Sequence, residues 1–228
     1  MSLIVRGSGR PGAYTLASGT RVPSVTTITG ARKANVEGLL VWANELGKQG
    51  LSHRDVRQAA ADAGTMAHAM VENAIHGREI LEGIPEADPQ TIEQAQRGFQ
   101  AWQDWSRVMA VDYVLTETPM VSEEYAYGGT PDAIGHVDGK LALLDWKTGN
   151  AVYPDAIIQM AAYRRLWNEV YGESRGPIEA HYLLRFGKTH GDYHVHAYPN
   201  EVISMGWRAF LHLRELYELD KQLKKVAS

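Results

Sequence analysis

Asp138-Gly139 lies between Ala133-Ile134-Gly135-His136-Val137 and the apolar run Leu141 to Leu144. A dipeptide of this kind between two short apolar runs is a strong signal for a two-residue turn joining antiparallel strands. The predicted hairpin carries Asp132, at the end of Gly128-Gly129-Thr130-Pro131-Asp132, toward the same end as Asp145 on the neighbouring strand. The run 141–144 leads straight into Asp145-Trp146-Lys147, as a buried strand does, and Thr148-Gly149 marks a turn after it. Side chains alternate along a strand, so Asp145 and Lys147 share one face while Trp146 anchors the other in the core.

Two carboxylates held that close repel each other unless a cation sits between them, and hard oxygen ligands suit Mg²⁺ or Mn²⁺. Lys147 then lies where it can orient or help deprotonate an attacking water and stabilise charge building on a phosphate. The pattern reads as a divalent-metal site for cutting a phosphodiester. The alternative is a surface hairpin with a structural Asp145–Lys147 pair, since exposed ion pairs are common and contribute little. Two charges at the end of an apolar strand beside a Gly-Gly turn favour the site.

The chain of 228 residues is long enough to bury a full core as one domain. The expected organisation is a mainly helical part over 1–108, a catalytic sheet core over 109–200 and a C-terminal helix over 201–228. No apolar stretch is long enough to span a bilayer and the N-terminus lacks a signal-peptide pattern, so a cytoplasmic location without membrane contact is expected. The absence of cysteine excludes disulfides, thiolate nucleophiles and cysteine-ligated zinc or iron–sulfur centres. Net charge is −4, yet residues 1–60 carry 8 Lys/Arg against 3 Asp/Glu, whereas residues 61–145 carry 4 against 15. A nuclease needs local positive potential along its substrate path, not a basic average.

Along the chain, Gly9-Arg10-Pro11-Gly12 and Ser18-Gly19 break the structure around a short strand at Tyr14-Thr15-Leu16, and Ser24 caps a short helix. Asn35 to Lys48 reads as a helix with Leu39, Leu40, Trp42, Ala43 and Leu46 inward. Ser52 caps a long helix to about His76 that ends at Gly77, and Asp88-Pro89 caps another to about Val108 with Ala95, Phe99, Trp102 and Trp105 on one side. Strands are expected at 111–121, 123–127, 130–138 and 141–147, although Glu123 and Glu124 suit a solvated turn. A helix from Pro154 to Tyr171, strands near 178–186 and 192–198, and a helix from Glu201 to Lys225 follow. The order gives an α+β or mixed α/β sandwich.

Further candidates surround the hairpin. His68 and Glu72, four apart, share a helix face and could extend the metal site, and small residues at 63, 64 and 67 let that helix approach a sheet closely. Glu117 precedes Pro119, which suits a sheet edge or bulge. Either Gln159 bonds the site and Tyr163 touches nucleic acid, or Tyr163 packs and Gln159 is exposed. Arg164 or Arg165 is a phosphate contact. His181, His190, His194 and His196 form no ordered ligand set and suit a polar strand face. The tryptophans at 102, 105, 167 and 207 fit core packing, and Lys221, Lys224 and Lys225 a solvated helix end.

The series Gly64-Thr65-x-x-His68-x-x-x-Glu72, Glu117, Gly129-Thr130-Pro131-Asp132, Asp145-Trp146-Lys147-Thr148-Gly149 and Gln159-x-x-x-Tyr163 resembles the PD-(D/E)XK nuclease superfamily, and Gln-x-x-x-Tyr its RecB-like branch. Val22-Pro23-Ser24-Val25-Thr26-Thr27-Ile28, Lys33 and Trp42-Ala43 are similar to phage-encoded exonucleases and the mitochondrial genome maintenance exonuclease. The likeness spans roughly residues 20 to 165. It implies a restriction-endonuclease-like core, a central mixed sheet flanked by helices. In that core His68, Asp132 and Asp145 ligate Mg²⁺ or Mn²⁺, Lys147 is the catalytic lysine, Glu117 lies at the site, and Gln159 and Tyr163 border DNA. Aspartate stands at the second acidic position where glutamate is commoner, as it often does in RecB-like members; lack of cysteine separates the chain from members with an iron–sulfur cluster.

The activity so implied is metal-dependent DNA exonuclease cleavage leaving 5′-phosphate and 3′-hydroxyl, in recombination, replication or repair of phage type, within a bacterial or phage-infected cell. The alternatives are a structure-specific or single-strand endonuclease and a non-catalytic DNA-binding recombination accessory module. An oligomer or a recombination partner protein is compatible with the same motifs.

Overall fold

The computed structural model describes residues 14–32, 36–149, 151–187 and 192–227. The Gly9–Gly12 breakers, Lys33, the helix start at Asn35 and His190 lie outside the described residues. In chain order the elements are β1 (Tyr14–Thr15), β2 (Arg21–Val22), α1 (Val25–Thr29), α2 (Val36–Lys48), α3 (His53–Ile75), α4 (Pro89–Val108), β3 (Asp112–Thr116), β4 (Met120–Ser122), β5 (Tyr127–Gly129), β6 (Ala133–Val137) and β7 (Lys140–Thr148). Then come α5 (Pro154–Val170), the short α6 (Gly172–Arg175), β8 (Ala180–Phe186), β9 (Tyr193–Ala197) and α7 (Asn200–Val226).

The central sheet has the order β3-β6-β7-β8-β9, antiparallel except for the parallel β7–β8 pair that α5 connects. The sheet is therefore mixed and has helices on both faces, as the fold class expected from the sequence requires. The β6–β7 hairpin pairs Ala133 with Leu144 and Val137 with Lys140. Asp138 (φ 49°) and Gly139 (φ 75°) supply the two positive φ angles that a tight turn matching strand twist demands.

Alternation along β7 divides its side chains between two cores. Leu141 and Leu143 join Ile134, Leu183, Tyr163, Leu166 and Trp167 under α1, α5 and α7. Ala142, Leu144 and Trp146 join Leu184, Phe186, Phe99, Trp102 and Trp105 under α3 and α4. Trp146 is 2% exposed, with ring centroids 5.8 Å from Trp105 and 6.5 Å from Phe186.

The helix starts follow side-chain chemistry. Ser24, Ser52 and Asp88 each accept a backbone N–H in the first turn of the helix that follows, filling donors with no intrahelical partner. Two expectations fail. The strand expected over 111–121 is two strands in different sheets, because Glu117 (φ 40°) turns the chain out of register and Pro119 has no N–H for a ladder. The stretch expected as a strand over 123–127 is a turn from Glu123 to Ala126 that joins β4 to β5, so only Tyr127 is extended.

The helix α2 is a third correction. None of its described residues is buried, and Val36, Leu39, Leu40, Val41 and Trp42 are exposed, Leu40 by 66%. An amphipathic pattern calls for a covering surface, but among the described residues nothing covers this face; only Gly38, Ala43 and Leu46 are half-buried.

His181 on β8, expected on a polar strand face, is instead 2% exposed, and neither ring nitrogen has a hydrogen-bond partner. Burial, with the nearby Arg164 charge, pushes its pKa down to about 4. A histidine kept neutral in the fold contributes stability that is present above its unfolded pKa, about 6.5, and lost as pH falls from there toward 4. His181→Leu should therefore lose up to about 3 kcal/mol less stability than the wild type between pH 7 and pH 4. Urea melts across that window test this; parallel losses in both proteins would refute it.

Candidate active site

Asp132 lies one residue before β6 and Asp145 near the end of β7, and the Ala133–Leu144 pairing sets them opposite each other. The Asp132 Oδ2 accepts the Trp146 backbone N–H at 2.6 Å, which ties the first carboxylate to the strand carrying the second. The hairpin and its turn thus place both acids from local sequence alone.

Asp145 is 1% exposed, and the Lys147 Nζ lies 2.6 Å from its Oδ2, two residues on and on the same face. Apart from this ion pair, neither carboxylate oxygen has a hydrogen-bond partner of normal geometry. Burial pushes the Asp145 carboxyl up to about 6 against the pull of Lys147, with Asp132 adding to the rise. Burial works against the Lys147 charge, but Asp145 and Asp132 hold its pKa above the usual lysine value. The carboxylate of the pair is buried and its lysine half-buried, so the pair is not a fully solvated surface contact.

His68 comes from α3 on the far side of the cleft. Its Nδ1 is 3.3 Å from Asp132 Oδ1 and 4.0 Å from Glu117 Oε1. Ligand atoms of His68, Glu117 and Asp132 all lie within 4.8 Å of one another. Burial disfavours the His68 charge, yet the Asp132 carboxylate 3.3 Å away, with Glu117 beyond it, raises its pKa to about 10. Burial also raises the Glu117 carboxyl, helped by the Asp132 charge. A cation and a proton would therefore compete for the His68 ring.

Glu117 stands at the break between β3 and β4 with φ 40°, and its N–H donates to the Asp132 carbonyl at 3.1 Å. A non-glycine residue held there costs about 1 kcal/mol or more, and such strain collects at functional sites. The kink that spoils the expected strand is what delivers this carboxylate to the cluster.

Glu72, one turn beyond His68, faces the same cleft but is engaged elsewhere: the Thr116 hydroxyl donates to its Oε1 at 2.9 Å, and His76 Nε2 lies 3.0 Å away. It braces α3 against the end of β3. The cleft has a volume of about 720 Å³ and is lined by Ala60, Gly64, His68, Glu72, Glu117, Asp132 and Thr148, among others.

On α5, Gln159 Nε2 donates to the Tyr163 hydroxyl at 2.8 Å. Tyr163 is 4% exposed, so the packing alternative holds for its ring, while Gln159 is half-buried rather than exposed. Burial raises the Tyr163 pKa well above its ordinary value, with the Asp145 charge next, so the phenol stays protonated beside the site. Gly128-Gly129, expected as a turn, ends strand β5, and a Cβ on Gly129 would stand 2.6 Å from the Tyr163 ring, so the glycine is what admits that ring.

Arg164 and Arg165 turn away from the cleft. They line a groove between α5 and α7 with Asn168, Ser204 and Trp207, and Arg165 pairs with Glu124 while lying over the Tyr125 ring. Successive helical residues point about 100° apart, so Arg164 and Arg165 cannot share the direction of Tyr163. The phosphate contact expected of them is not supplied at this cleft.

Three residues not singled out from the sequence complete the frame. Tyr14 bonds the Thr130 hydroxyl at 2.9 Å, with its ring against Gly128. Thr148 lines the cleft, and Thr116 links Glu72 with His76. Thr130 and Thr148 stand inside the quoted motifs; Tyr14 and Thr116 carry no local signal.

The residues fit a divalent cation. Three ligand-bearing side chains converge, two of them carboxylates, one exposed and one half-buried, and the fully buried Asp145 carboxylate nearby has no partner but Lys147. One imidazole with several carboxylates suits a hard or borderline ion of the Mg²⁺ or Mn²⁺ type. The set that converges is His68, Glu117 and Asp132, with Asp145 turned to Lys147, whereas the sequence grouped Asp145 rather than Glu117 with the ligands.

No protein-family model matches the chain, and no curated protein matches it. Among solved structures it is similar to an alkaline exonuclease, LHK-Exo, from Laribacter hongkongensis, at 14% identity over 74% of this chain and 90% of that one, with a TM-score of 0.35. The same exonuclease in complex with dAMP matches at 15% identity over 74% and 91%, with a TM-score of 0.35. A protein described as SSO0001 matches at 14% identity over 68% and 72%, with a TM-score of 0.34.

Proposed function

We propose that this chain is a divalent-metal-dependent deoxyribonuclease that hydrolyses phosphodiester bonds from a DNA end, leaving 5′-phosphate and 3′-hydroxyl. The observation that carries the reading is the convergence of His68, Glu117 and Asp132 within 4.8 Å beside the pair of buried Asp145 with Lys147. A structural ion pair does not call for three further titratable groups around it. The ordered motifs from Gly64 to Tyr163 support the same reading.

His68, Asp132 and Glu117 would hold Mg²⁺ or Mn²⁺, with Asp145 opposite Asp132 across the hairpin adding negative charge beside them. A bound ion supplies a more acidic water and offsets charge on the phosphate. Lys147, held protonated by the charges of Asp145, Asp132 and Glu117, would donate to a phosphate oxygen or to the attacking water and balance charge as the bond breaks. Trp146 donates its N–H to Asp132 and so fixes the direction in which that carboxylate presents its other oxygen. Burial of Asp145 keeps bulk water from screening these charges.

The test is a time course on DNA labelled at one end, single- and double-stranded, linear and circular, with Mg²⁺, Mn²⁺ or chelator. The expected result is cleavage of linear DNA that needs the ion and vanishes with chelator. Cutting of circles would replace the end requirement with endonuclease action, and DNA binding with no cleavage under any ion would overturn the enzyme reading.

A further inference from the structure

Resting on the nuclease reading, we infer that the N-terminal half of α3 is a track for the strand being cut, with Arg57 and Arg54 gripping its phosphates beyond the site. At 100° per residue, Arg57 and Arg54 lie within about 40° of the direction of His68 around the helix. At 1.5 Å per residue they stand roughly 16 and 21 Å from it along the axis. Between them and His68 the cleft wall is made of Ala60, Ala61, Gly64 and Thr65, all small and uncharged, which leave the path open.

Charge decides which way a polyanion leaves the site. Arg54 and Arg57 are exposed, and among the described residues neither has an ion-pair or hydrogen-bond partner, whereas Lys48, Arg97 and Arg107 on neighbouring helices are held by acids. The other way out is a groove of about 490 Å³ that shares Thr65 and Ala69 with the cleft and is lined by Asp62, Glu86 and Asp88. Phosphates are repelled there and attracted along α3. A stacked strand carries a phosphate about every 3.4 Å, so Arg57 lies about five nucleotides from the reacting bond and Arg54 about six.

The consequence is a length dependence. The wild type should act on a 12-residue oligodeoxynucleotide with a kcat/KM on the order of tenfold above that for a 3-residue one, through KM, because only the longer strand reaches both arginines. In the R54Q/R57Q variant that advantage should disappear. In chelator, the slope of log K against log salt for the 12-residue strand should fall by about 1.4, from about 0.7 per phosphate. The K221Q/K224Q variant, which removes two charges from the far end of α7, should keep the length dependence. An R54Q/R57Q protein with wild-type melting, length dependence and salt slope overturns the track. Absence of cleavage by the wild type would instead count against the nuclease reading, and the salt slope would still decide the track.

Discussion

Asp145→Asn should lower metal-dependent cleavage by about 10³-fold or more while leaving the protein folded and no less stable than the wild type in chelator. The two halves of this expectation have one cause. Burial has pushed the Asp145 carboxyl up to about 6, so near neutral pH the fold holds an anion it would rather protonate. A neutral amide of the same shape removes that strain, and with it the charge that faces Asp132 across the hairpin. Lys147 keeps the Asp132 and Glu117 carboxylates as electrostatic neighbours, so its ammonium is not stranded. Rates on end-labelled DNA and thermal melts of both proteins provide the check. Near-normal cutting would sink the mechanism, and a large drop in melting temperature would show that the pair holds the fold together.

Trp146→Ala should have the opposite profile, losing the fold before the chemistry. The indole is buried against Trp105 and Phe186, and truncating such a side chain costs about 3–5 kcal/mol. In a chain of this length that lowers the melting temperature by roughly 10 °C. Melts in chelator avoid any contribution from a bound ion. A loss below about 1 kcal/mol would mean that the second core does not depend on this residue. The two neighbours on one strand thus differ in kind: the face toward α5 and the cleft is set for reaction, and the face toward α4 for holding.

The hairpin was legible in the sequence because it is local. Asp138-Gly139 fixes the turn, the alternation of β6 and β7 fixes the faces, and together they set Asp132 against Asp145. The capped helices α3 and α4 were legible for the same reason. What could not be read depended on distant partners. The apolar residues of α2 imply a covering surface, and no local pattern says whether one is supplied. The period-two pattern runs through 111–121, so only Pro119 hinted that Glu117 turns a corner. Arg164 and Arg165 follow Tyr163 on one helix, but that both turn away from the cleft depends on how α7 and the Glu124 turn pack against α5.

Gly64 bears on how finely the two walls of the cleft are matched. A Cβ there would stand 2.9 Å from Thr148 Oγ1, and one on the neighbouring Gly98 3.2 Å from Ala67. The helix that carries His68 therefore rests on the last residue of β7 with less than a methyl group of clearance. His68 comes from a segment far in the chain from the hairpin that carries Asp132 and Asp145, so its spacing from them is a matter of tolerance, set by how closely one bare backbone seats on one threonine. A side chain added at Gly64 would act as a shim, widening the gap that an ion must bridge without altering a single ligand.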